Sequence, residues 1–248
     1  MKAKYIITLI IFFVTVPAFA GVVMFSKMTL TTPINLSQTS KAYMDGNKLR
    51  VETTGGNMDQ TMIFRGDKNV LWTVNTKAGT YTVSTPEDMQ QMNAKLNELR
   101  GKMGKPAQDI VKPNFQKVSS GEKVDQWTCD KYSGTLSGQM KQEIWTTTPS
   151  SVGLSSADFQ AMQAMRNFFK DSSKNQMMGF QVGPDTPQDG MYAGIPVKTM
   201  IYKDGQLQGQ SQLIEIHKQN VDSILFELPA GYKKQTELDF KDFKMPQK

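Results

Sequence analysis

The sequence predicts a mainly β (α+β) fold: a strongly curved antiparallel sheet or half-barrel covered by two amphipathic helices. Apolar and polar residues alternate with period two over the N-terminal third of the mature chain, and strand-like runs return later. Turn-forming pairs separate the alternating runs at short intervals, and only two segments switch to helical spacing. Short connections favour a meander of neighbouring strands, so no parallel crossover is expected.

The chain opens with the three parts of a secretory signal. Lys2 and Lys4 supply positive charge, Ile6 to Val16 is apolar apart from Thr8 and Thr15, and Ala18-Phe19-Ala20 offers small residues for cleavage. That run is too short to span a bilayer, which takes about 20 residues. Residues 1–20 are therefore expected to be removed after Ala20, leaving a periplasmic or secreted protein with no transmembrane segment. An uncleaved anchor is the competing reading. Loss of these twenty residues from 248 leaves 228, enough for one domain with a sizeable core. We assign residues 21–235 to that domain and 236–248 to a polar tail. The charge of the mature chain would be +4, with 27 basic residues against 23 acidic. These charges are scattered, which argues against nucleic acid as a partner.

Val22 to Leu30 reads as the first strand. In Lys48-Leu49-Arg50-Val51-Glu52 the apolar Leu49 and Val51 oppose three charges. Met62 and Phe64 share one face, as do Val70, Trp72 and Val74, and then Tyr81 and Val83. Asp45-Gly46, Gly55-Gly56, Gly66-Asp67 and Lys77-Ala78-Gly79 are the turns. Thr85-Pro86-Glu87-Asp88 then supplies an N-cap, a first-turn proline and two acids. Met89, Met92, Leu96, Leu99 and Met103 follow as one stripe up to Gly104. Strands return over 115–147, with turns expected at Ser120-Gly121-Glu122 and Ser137-Gly138. The second helix begins at Ser155, with Asp158 three residues on and Leu154 set to staple Phe159. Its stripe is Phe159, Met162, Met165 and Phe169. Residues 171–190 read as irregular. Strands near 197–203 and 206–218 meet at Asp204-Gly205, and a polar tail is expected from Lys233.

With the elements placed, a family resemblance emerges. It rests on Met44-Asp45-Gly46-Asn47-Lys48-Leu49-Arg50-Val51-Glu52, Ile63-Phe64-Arg65-Gly66-Asp67-Lys68 and Trp127-Thr128-Cys129-Asp130-Lys131-Tyr132. It continues in Gly194-Ile195-Pro196-Val197-Lys198 and Leu225-Phe226-Glu227-Leu228-Pro229-Ala230-Gly231-Tyr232. In order and spacing the chain resembles an uncharacterised bacterial family of exported "domain of unknown function" proteins, related to the LolA/LolB-like periplasmic lipoprotein carriers. The resemblance spans nearly all of the mature chain. It implies a half-open antiparallel barrel with helices over its concave face, and it brings no assigned activity.

The candidate site is an apolar cavity for a lipid or other apolar ligand. Leu49, Val51, Met62, Phe64, Trp72, Val74, Tyr81 and Val83 would line the concave face, and Met89, Met92, Leu96 and Met162 would form the lid. Methionine repacks readily around varied ligands, and there are 17 of them. The same residues also describe a filled core, which makes a non-enzymatic structural or interaction module of the envelope the alternative. Met89-x-x-Met92, Met162-x-x-Met165 and Met177-Met178 suggest copper(I), yet no His or Cys adjoins them, so no metal site is assigned. Cys129 alone excludes an internal disulfide, and Trp127 on the same strand face argues for burial. No hydrolase elbow or zinc motif occurs, His217 is the only histidine, and no cofactor motif is present. His217 and Glu215 are expected on the polar face of a strand, opposite Ile214 and Ile216. Neither catalytic residues nor a protein partner can be named from the sequence.

Overall fold

The computed structural model describes residues 21–31, 35–56, 59–102, 114–135, 140–169 and 190–235. The signal segment, Met103, Gly104, Ser137-Gly138, the 171–189 stretch with Met177 and Met178, and the 236–248 tail lie outside the described residues.

Twelve strands form one open, curved sheet. The first six are β1 (Gly21–Leu30), β2 (Leu36–Asp45), β3 (Lys48–Thr54), β4 (Gln60–Arg65), β5 (Val70–Asn75) and β6 (Thr80–Ser84). Helix α1 (Pro86–Lys102) follows, then β7 (Asn114–Val124), β8 (Trp127–Thr135) and β9 (Lys141–Thr147). After α2 (Gln160–Phe168) come β10 (Ile195–Lys203), β11 (Gln206–Gln219) and β12 (Lys233–Lys234). The spatial order is β12-β6-β5-β4-β3-β2-β1-β11-β10-β9-β8-β7. Two meanders are thus joined through the β1–β11 pair, which brings the two ends of the domain together.

Every pairing is antiparallel except the last. Lys233 and Lys234 lie parallel to Thr80 and Tyr81. This corrects two expectations, a purely antiparallel sheet and a loose chain from Lys233. The backbone of Lys233 donates to Gly79, and Gln235 donates to Tyr81. Strand β2 was not separately legible, because its alternation is carried by Ala42 and Met44 among polar residues. The turn expected at Ser120-Gly121-Glu122 is also corrected. β7 runs through it with two register irregularities, and the chain reverses at Asp125-Gln126 instead. Asp125 adopts φ 49°, a left-handed conformation that Asp tolerates better than most residues.

The two helices start as their caps dictate. The Asp88 carboxylate accepts from the backbone and hydroxyl of Thr85, and the Asp88 amide donates back to Thr85 Oγ1. Asp158 accepts in the same way from the backbone and hydroxyl of Ser155. The segment after Ser155 first makes a 3-10 turn, Ser156–Phe159, and becomes α-helical only from Gln160. Leu154 and Phe159 are both buried in the main core, as a hydrophobic staple requires. On α1, Met89 is buried and Met92 half-buried, but Leu99 is exposed, so the apolar stripe does not stay buried along the helix.

The sheet is apolar on both sides. The main core joins Val22, Met24, Met44, Leu49, Phe64 and Leu71 to Met89 of α1 and to Met162, Met165 and Phe168 of α2. The Phe64 and Phe168 rings meet edge to face at 5.5 Å. Across the same strands, Ile63, Val74 and Phe226 form a separate core with Tyr43, Trp72, Tyr81, Val221, Leu228 and Tyr232 around it. A third cluster packs Phe115, Tyr132 and Ile144 against Tyr192.

The ends of the sheet differ. β6 is capped by the short parallel β12, whereas among the described strands β7 neighbours β8 alone, with one further backbone bond from Phe115 to the Gly190 carbonyl. β7 carries Lys117 and Lys123, and its register is broken at Lys117/Ser119 and Ser119/Glu122.

Candidate functional site

Cross-strand partners share a face of the sheet, so the register sorts the candidate lining residues. Leu49 pairs with Phe64, and Val51 with Met62. These four belong to the helix-covered side, where Met89, Met92 and Met162 meet them. Trp72 pairs with Ile63 and Val83, and Val74 pairs with Tyr81. The expected single lining is therefore corrected: Trp72, Val74, Tyr81 and Val83 face the other way. The physical reason is the β4–β5 register. Phe64 lies opposite Leu71, so Leu71 and Thr73 share its side, and Trp72 and Val74 necessarily do not. The Leu96 side chain lies outside the described residues.

The helix-covered side is graded. Leu49, Phe64, Met89 and Met162 are buried, while Val51, Met62 and Met92 remain half-buried against the same core. The lining thus divides into fully packed side chains and partly open ones.

The opposite side is covered by the chain segment from Val221 to Lys234. Arg65, whose side chain is 8% exposed, holds it. Its guanidinium donates to both oxygens of Asp67, at 2.8 and 2.6 Å, and to the Phe226 carbonyl and the Glu227 carboxylate. Arg50 donates to Glu52 at 2.7 Å and to the Leu225 carbonyl at 3.0 Å. Lys68 adds a 3.4 Å contact to Glu227. The hydrogen bonds from Arg65 hold the Asp67 carboxyl down at about 2. Burial pushes Glu227 up, but Arg65 and Lys68 outweigh it and leave its carboxyl lowered. Three of the sequence blocks behind the family resemblance thus meet here. Arg50, Arg65 with Asp67 and Lys68, and Leu225-Phe226-Glu227 are fastenings for the C-terminal segment.

A cleft of about 1030 Å³ opens beside β8 and β9, bounded by the 148–156 segment and by Ala193-Gly194. Hydroxyl residues dominate its lining, and none of the apolar candidates borders it. Its charged residues, Lys117 and Asp130, pair with each other at 2.7 Å. The Ser151 hydroxyl donates to the Thr148 carbonyl at 2.7 Å, and the single hydrogen of Thr147 Oγ1 is within reach of both Ser151 Oγ at 2.8 Å and the Thr128 carbonyl at 3.1 Å. Gly194 has φ 84°, and a Cβ there would stand 2.5 Å from the Thr147 carbonyl oxygen. The signal for this cleft was the hydroxyl-dense run Thr146-Thr147-Thr148-Pro149-Ser150-Ser151, followed by Ser155-Ser156.

Cys129, in the cleft wall, is 2% exposed. Burial, with Asp130 and Glu122 adding to it, pushes its thiol up to about 11, so it is not a nucleophile at neutral pH. His217 stands 3.0 Å from Glu215 and is half-buried rather than fully exposed. A bulge opposite Phe25/Ser26 turns Leu213 into the core and leaves Ile214 52% exposed, which corrects the expected placement of Ile214. Among the described residues no group of three His, Cys, Asp or Glu could hold a metal ion, and no helix is long and apolar enough to cross a membrane.

The chain belongs to the family described as "Domain of unknown function (DUF4412)", whose model matches residues 19–232. No curated protein matches it. Among solved structures it is similar to an uncharacterized conserved protein from Thermus thermophilus, with 8% identity, 88% of this chain and 91% of that chain covered, and a TM-score of 0.49. It is also similar to MucB in complex with MucA(peri), with 9% identity, coverage of 86% and 56%, and a TM-score of 0.39. A LolA superfamily protein from Nitrosomonas europaea is similar at 11% identity, coverage of 86% and 91%, and a TM-score of 0.31.

Proposed function

We propose that the chain is an exported, non-enzymatic binding protein of the cell envelope that holds a lipid or other apolar ligand between its sheet and its helices. The observation that carries this reading is the half-buried trio Val51, Met62 and Met92 beside a closed core on the same side of the sheet. An acyl chain entering there would meet a β-branched wall and two adaptable thioethers. Burying about ten methylenes at about 0.8 kcal/mol each supplies about 8 kcal/mol before ordering costs. In this reading the signal is cleaved after Ala20, residues 21–235 form one half-barrel domain, and 236–248 are a polar tail.

The second reading is a structural or interaction module of the envelope with a filled core. Complete burial of Leu49 and near-complete burial of Phe64 favour it. Titration with an apolar fluorescent probe, followed by displacement with a fatty acid, separates the two. Saturable, displaceable binding that is lost in Val51→Phe supports the carrier reading. Absence of binding, with Val51→Phe merely destabilising the protein, replaces it with the module.

A further inference from the structure

We infer that the cleft beside β8 and β9 is a second binding site, one that takes a neutral polyhydroxylated group such as a sugar. It is independent of the apolar site, from which it differs in lining and position. Its volume of about 1030 Å³ is at the upper end of the range typical of small-molecule sites, about 300–1,000 Å³. Its chemistry is set by hydroxyls, which both donate and accept and so match ligand hydroxyls of either polarity. Its ion pair, Lys117 with Asp130, is internally neutral, which selects against a strongly charged ligand.

The sharpest indication is Thr146. It is 3% exposed and lines the cleft. Its hydroxyl both donates and accepts, so a ligand hydroxyl of either polarity can meet it. Thr146 is the direct cross-strand partner of Asp130, so hydroxyl and carboxylate sit side by side on one wall. The turn that follows Thr146 is pre-organised. The Thr147–Ser151 bond, the Ser151 bond to the Thr148 carbonyl and the Thr148–Ser150 contact at 3.2 Å fix that turn before any ligand arrives.

The test is NMR titration of the purified protein with maltotriose, and flotation with phosphatidylcholine vesicles with or without digalactosyldiacylglycerol. Shifts confined to the 146–156 and 193–194 amides with maltotriose identify a free saccharide. Retention only by the galactolipid vesicles identifies a lipid headgroup. Thr146→Val keeps the shape and removes the hydroxyl, and it should weaken binding about three- to tenfold without changing the fold. Ser150→Trp, on the exposed rim, should abolish binding by filling the mouth. No response to either probe, or binding that both variants leave intact, overturns the proposal. Neither result touches the apolar site, whose probe assay is separate.

Discussion

The guanidinium of Arg65 and the carboxylate of Glu227 form an ion pair across 162 positions of chain. Most of the holding force at this junction is apolar. Ile63, Val74 and Phe226 are fully buried, and each such side chain is worth about 1.5–3 kcal/mol. The charges fix where the segment lies. Arg65→Met removes the donors to Asp67, Phe226 and Glu227 and should lower stability in urea by about 2–3 kcal/mol. Glu227→Gln, at a side chain 44% exposed, should cost under about 1 kcal/mol. Equal losses in the two variants would show that the arginine is not the anchor.

Acid should loosen this fastening at a defined point. Asp67 is held at about 2 in the folded chain against 3.8 ordinarily, and Glu227 is also lowered. Lowered carboxyl values mean that the stabilisation is complete above the ordinary carboxylate range. It drains away as pH falls towards about 2, while Arg65 stays charged throughout. The protection factors of the Lys233 and Gln235 amides, with exchange rates corrected for the intrinsic pH dependence, should fall between pH 5 and pH 2 in the wild type. In Arg65→Met they should already be low at pH 5.

The two sides of the sheet should answer separately to the same kind of substitution. Val83→Phe enlarges a half-buried residue on the side away from the helices. It should cost about 1–3 kcal/mol at most and leave apolar-probe affinity within about twofold. Val51→Phe, on the helix side, should reduce that affinity by more than about tenfold. Loss of binding in both variants would mean that the register-based division of the faces is wrong.

Cys129 should be silent in the folded state. With its thiol at about 11 and 2% exposed, it should react with a disulfide reagent at pH 8 only as fast as the protein unfolds. In urea the reaction should be immediate. Fast labelling of native protein would expose an opening of β8 that the packing does not provide.

The strands and caps were legible because they are local. Thr85 with Asp88, Ser155 with Asp158, and the alternation of Leu49 with Val51 need only a few neighbouring residues to be read. The division of the candidate site was not legible. Alternation shows that Trp72 and Val74 share a face, but only the pairing of Phe64 with Leu71 says which side that is. A sheet apolar on both sides removes the polar face that would have settled it. The role of Arg65 was hidden for a similar reason, because its partners lie at the far end of the chain. The cleft announced itself only as a cluster of Ser and Thr, a composition that turns share.

The unequal ends of the sheet bear on how the protein behaves when crowded. An open edge is a template for another chain, and twelve strands in a row invite growth at both margins. At β7, broken register and lysines deny an incoming strand a straight run of donors and acceptors. At β6 the margin is occupied by the protein's own Lys233-Lys234, so a stranger must first displace a segment that Arg65 and Phe226 hold in place. Weakening that fastening would therefore uncover a sticky margin, and the Arg65 variant should form fibrils on storage sooner than its modest loss of stability alone would bring about.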